Sequence, residues 1–286
     1  MRVALLAFAV LLSTACAAQS VPAAIFSDPP ADAAHPAAMA VLHVPSHGLL
    51  INGIVYQPAG AGLHPTLVIC HGLPGNEKNL DLAQAVRRAG WNAVTFNYRG
   101  SWGSPGNYRF AQNLEDADAV LAYLRDPANA TRLGIDTKRI AIAGHSMGGW
   151  VTAQTAGHDR GLVGAILISA ADMGYIAQMS REKVVALMAD NMETLAGVTA
   201  ESMADEAIAN QKTFSLDNAV PGLAQIPLLV LSADDGLAPR TDQLVKAIQA
   251  KGGTKVTAIH AATDHGWSDH RIYLETAVIN WLAQLK

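Results

Sequence analysis

The sequence predicts an α/β domain in which helices flank a mostly parallel central sheet of about eight strands. Three observations carry this expectation. Short apolar runs bounded by glycine, proline or other turn residues alternate with helical stretches from residue 66 onward. Half of the 286 residues are hydrophobic and only 15% are charged, which suits one large buried sheet and excludes a disordered or fibrous chain. The stretch RIAIAGHSMGGW, residues 139–150, runs as a strand, breaks at a glycine-flanked serine and resumes as a helix.

Residues 1–20, MRVALLAFAVLLSTACAAQS, are expected to be a signal peptide. Arg2 supplies the positive start, residues 3–12 the apolar core, and Ala15-Cys16-Ala17 a small-residue cleavage site. The expected destination is the periplasm or the medium, and the apolar run is too short for a transmembrane helix. Cys16 admits a second reading, a lipid anchor of the bacterial lipoprotein kind, although Ser13 stands where such signals usually carry leucine. Cleavage would leave Cys70 as the sole cysteine, with no intrachain disulfide. Residues 21–40, rich in alanine and proline, read as a linker, so the α/β domain is placed at residues 41–286.

Within that domain, residues 41–44 and 49–56, separated by Pro45 and Gly48, form an antiparallel pair that opens the sheet. Residues 66–70, TLVIC, are apolar throughout, as a strand buried on both faces requires. An amphipathic helix at 80–89 ends at Gly90; a strand at 93–96, a helix at 114–125 and the strand at 140–143 follow. After the serine come a helix at 151–158, strands at 163–168, 228–231 and 255–259, and helices at 237–250 and 272–285. Such alternation is that of βαβ crossovers. It stops at about residues 172–224, where a helical cap is expected. Five of the eight methionines (173, 179, 188, 192 and 203) fall there, either to line a pocket for apolar ligands or to pack the cap onto the core.

The formal charge of −4 is mild, and Lys and Arg occur singly or in pairs such as Arg87-Arg88, so no basic stripe offers itself to nucleic acid. No HExxH or comparable cluster occurs, and Asp264 with His265 is too small a ligand set, so neither a metal nor a cofactor is expected.

The chemistry centres on Gly144-His145-Ser146-Met147-Gly148. A serine on a sharp strand-to-helix turn is held in strained geometry with its hydroxyl exposed, and glycines two residues away on either side leave room for the turn. An unassisted hydroxyl is a weak nucleophile, so a base, a group that orients the base and donors for an oxyanion must accompany it. Candidates follow in chain order on loops after later strands: Asp234 or Asp235 in SADDGLAP, and His265 in ATDHGW. Of ten histidines, His35, His43, His47 and His64 precede the serine, and His145 on the turn itself is expected to point away from the hydroxyl. His265, directly on a loop, is preferred over His270 at the start of the last helix. The expected oxyanion donors are the N–H groups of Met147, at a helix N-terminus, and Leu73 in HGLPG; Pro74 has none to give.

HGLPG, NYRGSWGSPG, GHSMGG, SADDGLAP and DHGW, in this order and spacing, resemble the α/β-hydrolase superfamily over residues 41–286. Within it, residues 97–101 are similar to dienelactone-hydrolase-like esterases and to the catalytic domains of prolyl-oligopeptidase-type serine peptidases. The resemblance implies the α/β-hydrolase fold and selects Asp235 over Asp234, because the family's acid usually stands four residues before a proline and Asp235 stands so before Pro239. Ser232 departs from the glycine that this loop often carries.

The implied activity is hydrolysis of carboxylic esters by a Ser146-His265-Asp235 triad through an acyl-enzyme, on a small-molecule ester or a short peptide. A peptidase or amidase is the second reading and would need an anchor for a peptide terminus, for which Asp172 and Asp190 are the candidates. A catalytically silent binding protein is the third, against which the intact Ser146, Asp235 and His265 speak.

Overall fold

The computed structural model describes residues 20–285. Its strands are β1 (Ala38–Ser46), β2 (Leu49–Gln57), β3 (His64–Cys70), β4 (Asn92–Phe96), β5 (Ile135–His145), β6 (Leu162–Ile168), β7 (Leu228–Ala233) and β8 (Val256–Ala261). They form one sheet in the order β1-β2-β4-β3-β5-β6-β7-β8, parallel except for the β1–β2 and β2–β4 pairings. The chain steps from β3 to β4 in one direction and then crosses back over β3 to β5. The winding therefore reverses between β3 and β5, where an open α/β sheet leaves a crevice at its strand ends.

The helices are α1 (Ala23–Phe26), α2 (Leu80–Arg88), α3 (Phe110–Arg125), α4 (Pro127–Leu133), α5 (Met147–His158), α6 (Met173–Ile176), α7 (Arg181–Ala189), α8 (Ala200–Ala209), α9 (Val220–Leu223), α10 (Ala238–Ala250) and α11 (Arg271–Leu282). Side chains alternate across each strand, and both faces of the central strands are covered. Leu67 and Ile69 of β3 share one core with Leu82 and Val86 of α2 and Leu274 and Val278 of α11. Val68 and Cys70 share the other with Val120 and Leu124 of α3 and Val151 of α5. Double coverage is why TLVIC lacks polar alternation, and each such aliphatic side chain contributes about 1.5 to 3 kcal/mol on burial.

The elements depart from the sequence reading mainly at their ends. β1 begins at Ala38 rather than residue 41, and α3 at Phe110 rather than 114. Helix α4 was not expected: seven residues are too few to show an apolar period, and its signals are local ones. The Asp126 carboxylate accepts from the Ala128 and Asn129 N–H groups, Pro127 opens the helix, and Gly134 closes it in the left-handed conformation. Within residues 21–40, α1 is docked rather than loose, because the Arg88 guanidinium donates to the Ala24 and Ile25 carbonyls. The signal-peptide reading and Cys16 lie outside the described residues, except for Ser20. Among the described residues no helix is long and apolar enough to cross a membrane. Between β6 and β7 the chain makes α6, α7, α8, a 3-10 turn at Leu216–Ala219 and α9.

One carboxyl in the α11 interface gives the fold a pH dependence. Glu275 is 6% exposed. Burial, reinforced by the facing Asp81 and opposed by Arg271 and Arg88, raises it from 4.5 to about 7. The folded state thus holds this proton more tightly than the unfolded state, so stability is retained below about pH 4.5 and declines as pH rises through 7. Glu275→Gln is expected to raise stability at pH 8 by on the order of 2 kcal/mol and to change it little at pH 4. Urea titrations of both proteins at the two pH values check this, and an equal effect at both would contradict it.

Candidate active site

Ser146 follows β5 directly and opens α5, with φ 57° and ψ −124°. So strained a conformation for a non-glycine residue persists only where its surroundings hold it. A Cβ on Gly144 would stand 2.0 Å from the Gly148 carbonyl oxygen, and one on Gly148 would stand 2.1 Å from that of Cys70. Glycine is required at both positions by the close approach of three backbones. The Ser146 N–H donates to the Ile168 carbonyl at 2.9 Å, and its own carbonyl accepts from Gly149 and Ala171, so the turn is tied to the β6 end as well.

The two adjacent aspartates are separated by their surroundings. Asp235 has a side chain only 3% exposed, and its Oδ2 accepts from His265 Nδ1 at 2.8 Å. Asp234 is 63% exposed and meets His260 of β8 instead, at 2.9 Å. Burial pushes the Asp235 carboxyl up, but hydrogen bonds from His265, the Leu237 N–H and Ser169 outweigh it and hold it below the usual carboxylate value. Asp235 is therefore ionised at neutral pH and fixes the His265 tautomer with its proton on Nδ1, leaving Nε2 as the basic nitrogen. His270, the other candidate, pairs with the exposed Asp269 at the start of α11.

Ser146, Asp235 and His265 line one pocket of about 380 Å³, together with Leu73 and Met147. Among the described residues, neither the Leu73 nor the Met147 N–H has a turn or loop partner. Both loops that carry these groups are braced. His71 is buried, donates from Nδ1 to the Gly72 carbonyl at 2.8 Å, and is kept neutral by burial, which brings its pKa down to about 4. Trp102 Nε1 and Thr194 Oγ1 both donate to the Pro74 carbonyl, at 2.7 and 3.3 Å. The Met147 thioether accepts from Tyr108 Oη at 3.0 Å and Asn113 Nδ2 at 3.4 Å. No group of three or more His, Cys, Asp or Glu side chains suited to a metal occurs among the described residues.

His145 sits beside the loop that carries His265. It is a buried neighbour of His265: its Nε2–H donates to the His265 carbonyl at 2.7 Å, and the two rings lie 4.6 Å apart. Burial first, and the nearby His265 second, bring its pKa to about 4, so it stays neutral. Strand alternation carried two residues past Ala143 would have revealed this, because Ala141, Ala143 and His145 point to one face. On the same side the buried Trp267, at φ 60°, donates from Nε1 to Ser169 Oγ at 3.0 Å. Arg271 reaches back to the Gly266 carbonyl at 3.1 Å while clasping Asp81 of α2. These anchors were not legible as a pattern, since those of His145 and Trp267 join residues far apart in sequence and Arg271 ties its own loop to the distant Asp81.

A hydroxyl, an imidazole oriented by a carboxylate and two open N–H donors on one pocket are the groups that acyl transfer needs. Comparison with known proteins bears on the family and the fold. The family model described as alpha/beta hydrolase family matches residues 67–275. No curated protein matches the chain in sequence. Among solved structures, the acylaminoacyl peptidase of Pyrococcus horikoshii is similar with a TM-score of 0.69 at 16% identity; the match covers 87% of this chain but only 42% of that one. Est1E of Butyrivibrio proteoclasticus, solved with ferulic acid, has a TM-score of 0.69 at 17% identity, covering 85% of this chain and 98% of that one. A hyperthermophilic esterase from Pyrobaculum calidifontis has a TM-score of 0.62 at 20% identity, covering 87% and 86%. At these identities the likeness is one of fold.

The anchors under the 264–270 loop make a direct prediction. Loss of one buried hydrogen bond costs about 1 to 2 kcal/mol locally, so His145→Ala should speed amide exchange of this loop by roughly 5- to 30-fold while the β3 and β5 amides stay protected. Hydrogen-exchange mass spectrometry measures both. Unchanged loop exchange would show that His145 does not hold it.

Proposed function

The chain belongs to the alpha/beta hydrolase family, and from that premise we propose that it is a serine hydrolase cleaving carboxylic esters through an acyl-enzyme. The observation that carries the reading is the convergence of Ser146, on its strained turn, with the His265–Asp235 pair on one pocket. In this mechanism His265 Nε2 takes the Ser146 proton as the oxygen attacks the ester carbonyl, and Asp235 stabilises the resulting imidazolium. The carbonyl π electrons move to oxygen, and the Leu73 and Met147 N–H groups receive that charge, each contributing about 3 to 4 kcal/mol to lowering the barrier. Collapse expels the alcohol, protonated by His265. Water, activated by the same imidazole, then releases the acid and restores the serine.

Amide cleavage is the second reading, and the fold likeness to an acylaminoacyl peptidase favours including it. Its expected anchors have other partners or positions. Asp172 is buried and holds the Gly174, Tyr175 and Leu216 N–H groups and Arg240, while Asp190 is the exposed C-cap of α7.

A fluorophosphonate probe should label the wild type and fail to label Ser146→Ala; equal labelling of both would overturn the assignment of the nucleophile. Asp235→Asn should lower kcat by roughly 10³- to 10⁴-fold, whereas Asp234→Asn should stay within about 3-fold. The reverse ranking would move the acid to Asp234. Because Asp235 is held below the usual carboxylate value, it stays charged and keeps orienting His265 across the working range. Rates with a nitrophenyl ester from about pH 5 to about pH 9 should climb and level off; a flat profile would remove the histidine base.

A further inference from the structure

We infer that the site selects esters by an uncharged hydrocarbon arm, bound under the cap methionines and running out over an apolar rim. The inference rests on the serine-hydrolase reading and adds the substrate class. Beyond Ser146, Asp235 and His265, the pocket is walled by Met173, Ile176, Met179, Leu187 and Met188 of the insertion between β6 and β7, with Leu73 opposite. The two readings of the methionines overlap: Met173, Met179 and Met188 line the pocket, Met173 and Met188 also belong to the buried core with Met203, and Met192 packs against that core.

Charge is missing from this wall. Asp235 is the one charged side chain lining the pocket, and both its oxygens are engaged, Oδ2 by His265 and Oδ1 by the Leu237 N–H. Asn191, the remaining polar side chain, donates to the Leu187 carbonyl at 2.8 Å. A substrate terminus bearing a carboxylate or ammonium would lose its hydration here and find no opposite charge, only the Asn191 amide, which is costly. A hydrocarbon arm gains from the same surface.

The apolar surface does not end at the pocket. Met179 and Leu187 of its lining are exposed at 42% and 36%, and Tyr175, next to the lining residue Ile176, at 53%. Contiguous apolar groups in solvent mark a binding surface when they continue a site, as these do. The insertion is fastened at its middle. Past α7 the chain is pinned to the 98–108 loop by Trp102 N–H to Thr194, Ala196 N–H to Gly100 and Tyr108 N–H to Ala196, at 2.8 to 3.1 Å. Selectivity then follows from how many methylenes leave water.

The test is kcat/KM for nitrophenyl acetate, butyrate, hexanoate and octanoate, alongside alkyl acetates of rising alcohol length, since the arm belongs to either side of the ester. One series should climb by about four-fold per methylene at first, at least about ten-fold overall, and then level off as the chain reaches the open rim. An ester of hexanoate length ending in a carboxylate should be cleaved at least about ten-fold less well than hexanoate. Leu187→Asp and Met179→Asp, both at the rim, should each lower the hexanoate-to-acetate ratio by about five-fold or more. An enzyme that is labelled by fluorophosphonate yet cleaves every length equally, or accepts the carboxylate-ended ester as readily, overturns this inference alone. A chain that neither labels nor cleaves any ester overturns the serine-hydrolase reading and this inference with it.

Discussion

Three backbones meet around Ser146 with no room for a side chain between them. The end of β3, the end of β5 and the first turn of α5 approach so closely that a methyl group on Gly144 or Gly148 would fall inside van der Waals contact with a carbonyl oxygen. Gly72 completes the nest, since a Cβ there would stand 3.0 Å from that of Ser146. This crowding keeps Ser146 at φ 57° against its own preference and aims the N-terminus of α5 at the crevice between β3 and β5. Every other part of the site is placed relative to that point.

The strand ends bring in the partners, and packing on either side of the sheet holds them. His265 sits on a loop fastened by His145, by Trp267 through Ser169, and by Arg271, which also clasps α2. The HGLPG loop is fastened by Trp102 and Thr194 at the Pro74 carbonyl, so the insertion that walls the pocket also steadies the expected oxyanion donor. Cys70, at the end of β3, is buried, and burial pushes its thiol up to about 12, which leaves it as core packing. A preorganised site of this kind relies on groups already in position rather than on movement.

Much of the fold was legible because buried parallel strands leave continuous apolar runs. TLVIC, the run before Ser146 and the run at 228–231 all lie inside strands of the structure, which extend them by one to a few residues. Short or polar elements were not legible: α4 has no room for a period, and α1 sits in an alanine- and proline-rich stretch that reads as linker. At the site, Ser146 and His265 stood out by motif and chain order. The neighbours Asp234 and Asp235 did not separate by periodicity, only by the family resemblance, since both lie in the same turn; in the structure a side-chain exposure of 3% against 63% sets them apart. Composition marked the methionine-rich insertion but not which methionines face inward, a matter of tertiary packing.

The central claim is that Ser146 delivers its oxygen to a carbonyl held by the Leu73 and Met147 N–H groups. A crystal structure of the chain inhibited by an alkyl phosphonate tests it most directly. The account predicts a bond from Ser146 Oγ to phosphorus, a phosphonyl oxygen at roughly 2.7 to 3.1 Å from both N–H nitrogens, and the alkyl group against Met173 and Met188. An adduct on another residue, or a phosphonyl oxygen turned away from both donors, would contradict it.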